Sequence, residues 1–362
     1  MIHIILGTKA QLIKMAPIMA HLCRRDIPYN FIHTGQHQAT MSEMFHDFSI
    51  KPPDVQLYDG PDIISVRKMF VWFVKTLWQA QFNKEKIFGQ ESKGIVLVHG
   101  DTFSTLLGAL MGRLAGLPVG HVESGLRSFH IFHPFPEELT RILTFRLSTI
   151  LYCPGQWAVD NVKNLKKEKV NTHFNTMLDT LTLTSRKNSR TEHIPNYPYA
   201  LVSLHRYENI FNKESLRKLL KSIEYISSCI KLVFILHPPT ENQLKKYGFF
   251  EIMVNNSRID LRQRYHHSDF LSLLKKSEFV VTDGGSLQEE TFYLGLPCLI
   301  MRKTTERQEG VGENVVISMY DAEKIKYFVE NYRKYRRKPV VPKLSPSEIV
   351  IESALHYACQ DS

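Results

Sequence analysis

The stretch that decides the fold is Ile95-Val96-Leu97-Val98-His99-Gly100-Asp101-Thr102. Its apolar run and glycine turn predict a buried strand, and the pattern from Thr102 to Ala115 predicts the helix that follows. Apolar strands without alternation are typical of parallel sheets covered on both faces. Asp101 should therefore lie at the carboxyl end of a strand, where open α/β sheets bind their ligands.

The same alternation of strand and helix extends along the chain. Further strands are predicted at Ile2–Leu6, Ile150–Cys153, Ala200–Leu204, Leu232–Leu236, Phe279–Thr282 and Cys298–Met301. Further helices are predicted at Lys9–Cys23, Glu214–Ser228 and Leu287–Leu294. We therefore predict an α/β protein with two Rossmann-like parallel-sheet domains that face an interdomain cleft.

A polar, proline-bearing stretch at Leu165–Tyr199 marks the predicted domain boundary. The predicted domains are 1–170, which carries the acidic candidates, and 190–343, which binds a nucleotide. A C-terminal helix at 344–362 is expected to pack back toward the N-terminal domain.

Composition narrows the classes of partner. The 362 residues carry a formal net charge of +10, which suits a phosphorylated small molecule, a membrane surface or nucleic acid. No basic run is interleaved with aromatics as in a nucleic-acid module, so no nucleic-acid partner is expected. The five cysteines include no C-x-x-C pair, which favours a reducing cytoplasm over a disulfide framework.

Neither a signal peptide nor a membrane span is predicted. The start of the chain resembles a buried strand, and no apolar run reaches spanning length. The run Met69–Val74 is interrupted by Lys75 and continues in Leu77, Trp78 and Phe82. This apolar helix face favours core or dimer packing over a membrane-surface role. We expect no stable membrane insertion.

Acidic and basic side chains follow successive strands of the first half. Asp101 follows one strand, Glu123 lies in His121–Arg127 after the next, and Glu137 precedes Arg141 by one helical turn. Taken singly, Asp101 could cap a helix, Glu137 or Glu138 could favour a helix start, and Glu137 and Arg141 could form an ordinary ion pair. Their joint placement at strand ends favours an active site.

Two loops are candidate phosphate sites. The first, Gly7–Lys14, contains Lys9 and Lys14 but matches neither G-x-G-x-x-G nor a P-loop, so neither a nicotinamide cofactor nor ATP is indicated. The lysines could instead be solvated.

The second candidate loop, Asp283–Glu290, is a glycine turn between strand and helix. Its amides offer an anion site, and Glu290 could bind ribose hydroxyls. A tight turn and a carboxylate that compensates the helix dipole are the plainer alternatives. His205 and Arg206 follow another strand of this half and could meet a diphosphate, or His205 could be an ordinary loop histidine.

Together these motifs resemble the non-hydrolysing UDP-N-acetylglucosamine 2-epimerases. The resemblance runs through nearly the whole chain and rests on Ile13–Pro17, Thr34–His37, His99–Thr102, His121–Arg127, Pro136–Glu138, Gly285–Glu290, Gly295–Pro297 and Met301–Arg307. It implies a two-domain fold like that of GT-B glycosyltransferases, a homodimer, and no metal or other cofactor. It also implies elimination of UDP to a 2-acetamidoglucal, followed by re-addition with inversion at carbon 2.

The resemblance implies a role for each candidate. The catalytic candidates are Asp101, Glu123, Glu137 and His205. The candidates for binding UDP, phosphate or sugar are Lys9, Lys14, Arg127, Arg141, Arg206, Gly284, Gly285, Ser286, Glu290 and Arg307. Candidates for a regulatory pocket are Gln36, His37 and His237.

Three segments depart from the family pattern. Lys9-Ala10-Gln11 replaces a segment that begins with arginine, Asp283-Gly284-Gly285-Ser286 replaces Asp-Ser-Gly-Gly, and Phe129–His133 is unusually rich in histidine and aromatics. The departures leave the exact sugar open. The alternatives are a hydrolysing epimerase that releases N-acetylmannosamine, an epimerase for a modified UDP-sugar, a GT-B glycosyltransferase and a non-catalytic UDP-sugar sensor.

Overall fold

The computed structural model describes residues 1–37, 41–63, 65–89, 93–130, 136–185 and 192–359. The chain divides into two compact units. Unit 1 comprises Met1–Leu183 together with Pro342–Ser362, and unit 2 comprises Thr184–Val341.

Unit 1 is built on a parallel sheet that has seven strands in the described residues, in the order β3-β2-β1-β4-β5-β6-β7. The strands are β1 (Ile2–Leu6), β2 (Tyr29–His33), β3 (Val55–Gln56), β4 (Ile95–His99), β5 (Val119–Val122), β6 (Ile150–Cys153) and β7 (Glu168–Asn171). The helices are α1 (Lys9–Arg24), α2 (Met41–Phe48), α3 (Val66–Phe82), α4 (Lys84–Phe88), α5 (Phe103–Leu114), α6 (Glu137–Leu147), α7 (Gln156–Asn161) and α8 (Met177–Ser185). The order reverses between β1 and β4, as in a Rossmann sheet.

Unit 2 repeats this order in a parallel sheet of six described strands, β10-β9-β8-β11-β12-β13. They are β8 (Tyr199–Ser203), β9 (Lys231–Ile235), β10 (Ile259–Arg262), β11 (Phe279–Thr282), β12 (Cys298–Ile300) and β13 (Val315–Ile317). The helices are α9 (Tyr207–Ile210), α10 (Lys213–Cys229), α11 (Pro238–Tyr247), α12 (Phe250–Val254), α13 (His267–Lys276), α14 (Gly285–Leu294) and α15 (Ala322–Asn331), followed by a 3₁₀ turn at Tyr332–Tyr335. The order reverses between β8 and β11.

The predicted α/β class is confirmed, and the predicted strands named above lie within one residue of their observed bounds. A further strand predicted at Leu117–His121 corresponds to β5, which begins two residues later. Strands β1, β4, β6 and β11 are buried throughout because helices cover both sheet faces. The final helix, α16 (Pro346–Cys359), packs against α1 within unit 1. Strands β2, β3, β7, β10 and β13 were not predicted. In β2 the apolar run is interrupted by Asn30, whose side chain donates to the carbonyl of Ile87 at 2.7 Å.

Helix α3 divides its apolar residues between core and solvent. Trp72 and Ala80 face the core. The opposite side, here called the outer face of α3, is exposed and consists of Phe70, Val71, Val74, Trp78 and Phe82. Within the described residues, no helix combines the length and apolarity needed to cross a membrane.

Candidate active site

The site of unit 1 begins where the sheet order reverses. Gln11, buried in the first turn of α1, joins the loops that follow β1 and β4. Its Nε2 donates to the carbonyl of His99 at 2.8 Å, and its Oε1 accepts from the backbone N–H of Gly7 at 3.0 Å. A Cβ on Gly7 would lie 2.0 Å from the Thr34 hydroxyl, so this turn requires glycine. Gln11 therefore fixes the loop after β1 relative to the loop after β4.

Glu123 follows β5 in a left-handed conformation with φ of 66°. This conformation is uncommon for residues other than glycine and marks a locally determined loop. The buried carboxylate accepts hydrogen bonds at Oε2 from the Lys14 ammonium and the Asn175 amide. His99 Nε2 lies 3.8 Å from the same oxygen. Glu123 is thus an acid in contact with a cation, an amide and an imidazole.

His121 hydrogen-bonds the loop that carries Glu123. Its ring Nε2 lies 2.7 Å from the carbonyl of Gly100, and its Nδ1 lies 2.9 Å from the Ser124 hydroxyl. Burial lowers the pKa of His121 to about 4. The carbonyl can only accept, so Nε2 carries the proton and Nδ1 accepts from Ser124. The neutral ring therefore links the loops after β4 and β5.

Asp101 is held by an arginine on α6. Arg141 donates from Nε and Nη2 to Asp101 Oδ2 at 2.9 and 2.5 Å, and its Nη1 lies 3.4 Å from Glu138 Oε2. The Asp101 side chain keeps 26% of its surface exposed, so it is accessible to a ligand. The side chain that caps α5 is Thr102 rather than Asp101. Arg141 pairs with Asp101 and Glu138.

Glu138 anchors the loop that follows β5. Its carboxylate accepts from Arg127 Nε at 2.5 Å and from the Ser128 backbone N–H at 3.0 Å. Burial acts to raise the pKa of Glu138, but these donors outweigh it and hold the pKa below its ordinary value. Arg127 and Arg141 thus pair with acids, and their predicted contact with substrate remains a prediction.

Glu137 differs from its neighbour. It is half-buried in the first turn of α6, and its Oε2 has no hydrogen-bond partner among the residues that the structure describes. The aromatic and histidine-rich segment Phe129–His133 precedes Glu137 in the sequence. Its residues Ile131, Phe132 and His133 lie outside the described residues. A carboxylate oxygen without a partner among the described residues suits proton transfer to a ligand.

The site of unit 2 is organised by Asp283, at the end of β11. Its buried carboxylate accepts from the backbone N–H groups of His205 and Arg206, both at 3.0 Å, and from Asn209 Nδ2 at 2.8 Å. It thus fixes the loop after β8 beside the turn after β11, across the point where the strand order reverses.

His205 stacks on His237, with ring centroids 4.4 Å apart. The His205 side chain is 40% exposed and faces the Asp283 carboxylate at 3.7 Å. Burial lowers the pKa of His205, and Asp283 opposes that shift. Burial, aided by the His205 ring, lowers the pKa of His237 to about 3. His237, which lies 3.0 Å from the Ser203 hydroxyl, is therefore a neutral platform for His205.

The turn after β11 leads directly into α14. Gly284 is the residue before α14, and no side chain caps this helix. The first backbone amides of α14 are therefore available to an anion, beside the exposed Ser286. A Cβ on Gly285 would lie 2.9 Å from Arg307 Nε, and one on Gly284 would lie 3.1 Å from the His205 ring. Both glycines let basic side chains approach the helix start.

Arg307 and Glu290 complete this region. Arg307 Nη1 lies 3.1 Å from the buried carboxylate of Glu289, which fixes the guanidinium beside Gly285. Glu290 is buried in the same helix. Arg206 pairs with Glu306 at 3.2 Å. Unit 2 therefore gathers an open helix start, a histidine and two arginines.

The remaining predicted residues are Lys9, Lys14 and the three candidates for a regulatory pocket. Lys9 is the half-exposed first residue of α1, and Lys14 contacts Glu123. Phosphate binding by the two lysines remains a prediction. Gln36 accepts from the Ser104 hydroxyl at 2.6 Å, and the His37 backbone N–H donates to Gly7. Gln36 and His37 belong to unit 1, whereas His237 supports His205 in unit 2. A regulatory role for the three remains a prediction.

Two functional candidates were missed from the sequence. Asp283 carried a signal, because it directly follows a buried strand at the predicted ligand edge. Asn175 gave none, since it is 52 residues from Glu123 in the chain. Among the residues that the structure describes, no cluster of three or more His, Cys, Asp or Glu side chains could hold a metal ion.

One sheet with the Rossmann strand order carries an acid cluster, and the other leads into a helix start that no side chain caps. This combination defines an α/β protein suited to a nucleotide-linked ligand. Comparison with known proteins gives the family. Residues 21–343 match the family model described as UDP-N-acetylglucosamine 2-epimerase. The chain belongs to this family and is an enzyme, a nucleotide-sugar 2-epimerase.

Individual relatives extend over nearly the whole chain. The UDP-N-acetylglucosamine 2-epimerase of Methanococcus maripaludis is 33% identical over 93% of this chain and 92% of its own. A Pseudomonas aeruginosa enzyme, UDP-2,3-diacetamido-2,3-dideoxy-D-glucuronate 2-epimerase, is 32% identical over 86% of this chain and 87% of its own.

Solved structures agree with the fold. The Methanocaldococcus jannaschii UDP-GlcNAc 2-epimerase, solved with UDP-GlcNAc and UDP, has a TM-score of 0.80 and 28% identity over 98% of this chain and 99% of its own. A glycosyltransferase with a TM-score of 0.51 and 10% identity shares the fold alone, over 99% of this chain and 90% of its own. The predicted family and GT-B-like fold class are confirmed.

Proposed function

We propose that the enzyme reversibly inverts carbon 2 of UDP-N-acetylglucosamine to give UDP-N-acetylmannosamine. The observation that carries the proposal is the pair of acids at neighbouring strand ends, Asp101 and Glu123, each contacted by a basic side chain of its own unit. The related UDP-N-acetylglucosamine 2-epimerases support the choice of substrate.

The hydrogen on carbon 2 has no adjacent carbonyl to acidify it, so the reaction needs elimination. A carboxylate takes the proton, the C–H electrons form the carbon 1–carbon 2 double bond, and the bond from carbon 1 to the diphosphate oxygen breaks with its electrons on UDP. UDP then re-adds to the 2-acetamidoglucal while an acid protonates carbon 2 from the opposite face. Asp101, Glu123 and Glu137 are the proposed acids and bases.

Departing UDP requires charge stabilisation, which we assign to unit 2. The amides of Gly285 and Ser286 at the start of α14 and the guanidinium groups of Arg206 and Arg307 are the proposed diphosphate ligands. Glu290 is the proposed ribose ligand. His205, which is partly exposed and stacks on His237, is the proposed partner of the leaving oxygen or its proton.

The test is incubation with UDP-N-acetylglucosamine in heavy water, followed by NMR. Deuterium at carbon 2 with a mixture of UDP-linked gluco and manno sugars is the expected result. Asp101→Asn and Glu123→Gln should each lower turnover by at least about 100-fold, whereas Asp160→Asn on the exposed end of α7 should leave it unchanged. Free N-acetylmannosamine would instead show a hydrolysing epimerase, and no exchange would reject this substrate.

A modified UDP-sugar is the second candidate, because the Pseudomonas aeruginosa relative acts on a diacetamido uronate and is almost as similar. The same exchange experiment with that UDP-sugar separates the two. Preferred exchange of the uronate, measured as kcat/KM, would replace the first proposal. A glycosyltransferase would show neither exchange nor epimer without an acceptor.

We further propose that the enzyme acts as a cytoplasmic homodimer that supplies sugars for cell-envelope polysaccharide biosynthesis, such as a capsule. The outer face of α3 supports the dimer, because exposed apolar patches commonly mark interfaces. Loss of N-acetylmannosamine-containing polysaccharide on deletion of the gene is the expected phenotype.

A further inference from the structure

Glu123 is contacted from two sides by elements that are themselves tied together. Lys14 reaches it from α1, and Asn175 reaches it from the residue pair before α8. The Thr180 hydroxyl of α8 donates to the carbonyl of Ile13, next to Lys14, at 2.7 Å. The two donors are therefore fixed relative to each other by a bond that does not involve Glu123.

The orientation of the Asn175 amide follows from its surroundings. Its Oδ1 accepts from the backbone N–H of Met177 at 3.2 Å and from the Thr176 hydroxyl at 3.3 Å. A backbone N–H can only donate, so Oδ1 must face the helix start and Nδ2 must face Glu123. The Nδ2 group can therefore donate a hydrogen bond to an ionised Glu123, and it cannot accept one from a protonated Glu123.

We propose that Asn175 is a positioning residue that holds the Glu123 carboxylate ionised and aimed for proton transfer, an inference that rests on the proposed function. The buried amide hydrogen-bonds the charged form of Glu123. Together with Lys14, it anchors the carboxylate through Oε2. Asn175 itself does not touch substrate.

The discriminating variant is Asn175→Asp. Aspartate keeps the volume and the Oδ1 acceptor for Met177, so the start of α8 is preserved. It replaces the Nδ2 donor by an oxygen that repels Glu123 or shares its proton. We expect kcat for exchange at carbon 2 to fall at least about 100-fold, and the acid limb of its pH profile to move upward by about one pH unit or more. KM should change little.

Two further variants test whether the effect is specific to the Asn175 donor. Asn175→Ala removes the donor without adding charge, so kcat should fall less than in Asn175→Asp and the acid limb should move less. Asn30→Asp is the matched control, because it makes the same substitution at another amide that donates from Nδ2, here to the carbonyl of Ile87 at 2.7 Å. It lies on β2, away from the Glu123 loop, and its pH profile should match that of the parent. An unchanged kcat and acid limb in Asn175→Asp would overturn the proposal.

A second measurement is independent of activity. The side-chain amide of Asn175, observed by ¹⁵N NMR in selectively labelled protein, should shift when Glu123 is changed to Gln and stay unmoved in Asp160→Asn. If the parent enzyme exchanges no sugar hydrogen, the proposed function fails, and this spectrum alone decides the contact. An amide signal that ignores Glu123→Gln would refute the positioning role in either case.

Discussion

His121 shows how one buried side chain links protonation to folding. Its ring is wholly buried and its pKa is lowered to about 4 from an ordinary 6.5. The folded pKa is depressed, so this contribution to stability is complete above pH 6.5 and is lost as the pH falls toward 4. By linkage, we expect roughly 2 kcal/mol to be lost from the free energy of unfolding by about pH 5.

Urea unfolding of the parent and His121→Gln at neutral pH and at about pH 5 measures this contribution. Glutamine can donate to Gly100 and accept from Ser124 but does not titrate, so the variant should lose less stability between the two pH values. Other histidines affect both proteins alike and cancel in the comparison. An imidazole of His121 that titrates at its ordinary pKa by NMR would contradict the prediction.

Gly285 offers a second prediction at the residue scale. Alanine is compatible with the start of α14, but its Cβ would lie 2.9 Å from Arg307 Nε and displace the guanidinium. We expect Gly285→Ala to weaken UDP binding by roughly 10-fold, which corresponds to about 1.4 kcal/mol. Calorimetric titration with UDP measures the change, and unaltered affinity would remove Arg307 from the diphosphate site.

Residues adjacent to strand ends could be predicted from the sequence, and their partners could not. The strand ending at His99 placed Asp101 at the ligand edge because burial and a glycine turn are local signals. The contact of Asn175 with Glu123 depends on how α8 docks on α1, which no local pattern records. The contact of Lys14 with Glu123 could not be predicted for the same reason, because the two residues are 109 apart in the chain.

At the scale of elements, α16 depends on an acid from α8. Asp179 Oδ2 accepts from the Ser345 hydroxyl at 2.9 Å and from the Ser347 backbone N–H at 2.8 Å, directly at the start of α16. The Ser345 hydroxyl in turn accepts from the Glu348 N–H at 3.2 Å, so two side chains satisfy the first amides of the helix. Burial raises the pKa of Asp179, although both serines oppose the shift.

We expect Asp179→Ala to lower the free energy of unfolding by about 1 kcal/mol and to speed hydrogen exchange in α16. Asp179→Asn keeps an acceptor for Ser347 and should be milder at neutral pH. The raised pKa of the aspartate means that its contribution is fullest at low pH and is lost as the pH rises, so the advantage of the parent over Asp179→Asn should shrink as the pH rises. Equal exchange in α16 for the parent and Asp179→Ala would show that the helix does not rely on this contact.

At the scale of the whole molecule, the two units share one strand order and present different groups after their strands. Unit 1 presents carboxylates after β4 and β5, and unit 2 presents an open helix start after β11. The alternation of strands and helices in the sequence was sufficient to predict two parallel sheets. Because such sheets bind ligands at the carboxyl ends of their strands, it also predicted where the candidate residues lie. It did not reveal which side of α3 would be buried, since that helix is apolar on both.

The outer face of α3 yields the last prediction. Phe70, Trp78 and Phe82 are each about two-thirds exposed and follow one another at intervals of eight and four residues on one side of the helix. In an antiparallel pair of these helices related by a twofold axis near Val74, Phe70 would meet Trp78 of the second copy and Arg67 would face Phe82. Such a pairing buries large aromatic surfaces and adds cation–π contacts.

Trp78→Glu should therefore convert a dimer into a monomer in sedimentation velocity, because each copy would place a carboxylate in an apolar contact. The matched control is Tyr327→Glu, which changes another exposed aromatic side chain on α15 of unit 2 and should remain dimeric. A parent that sediments as a monomer yet binds anionic vesicles through Trp78 would assign the outer face of α3 to a membrane surface, since the exposed residues beside it include Arg67, Lys68 and Lys75 and no acid within α3.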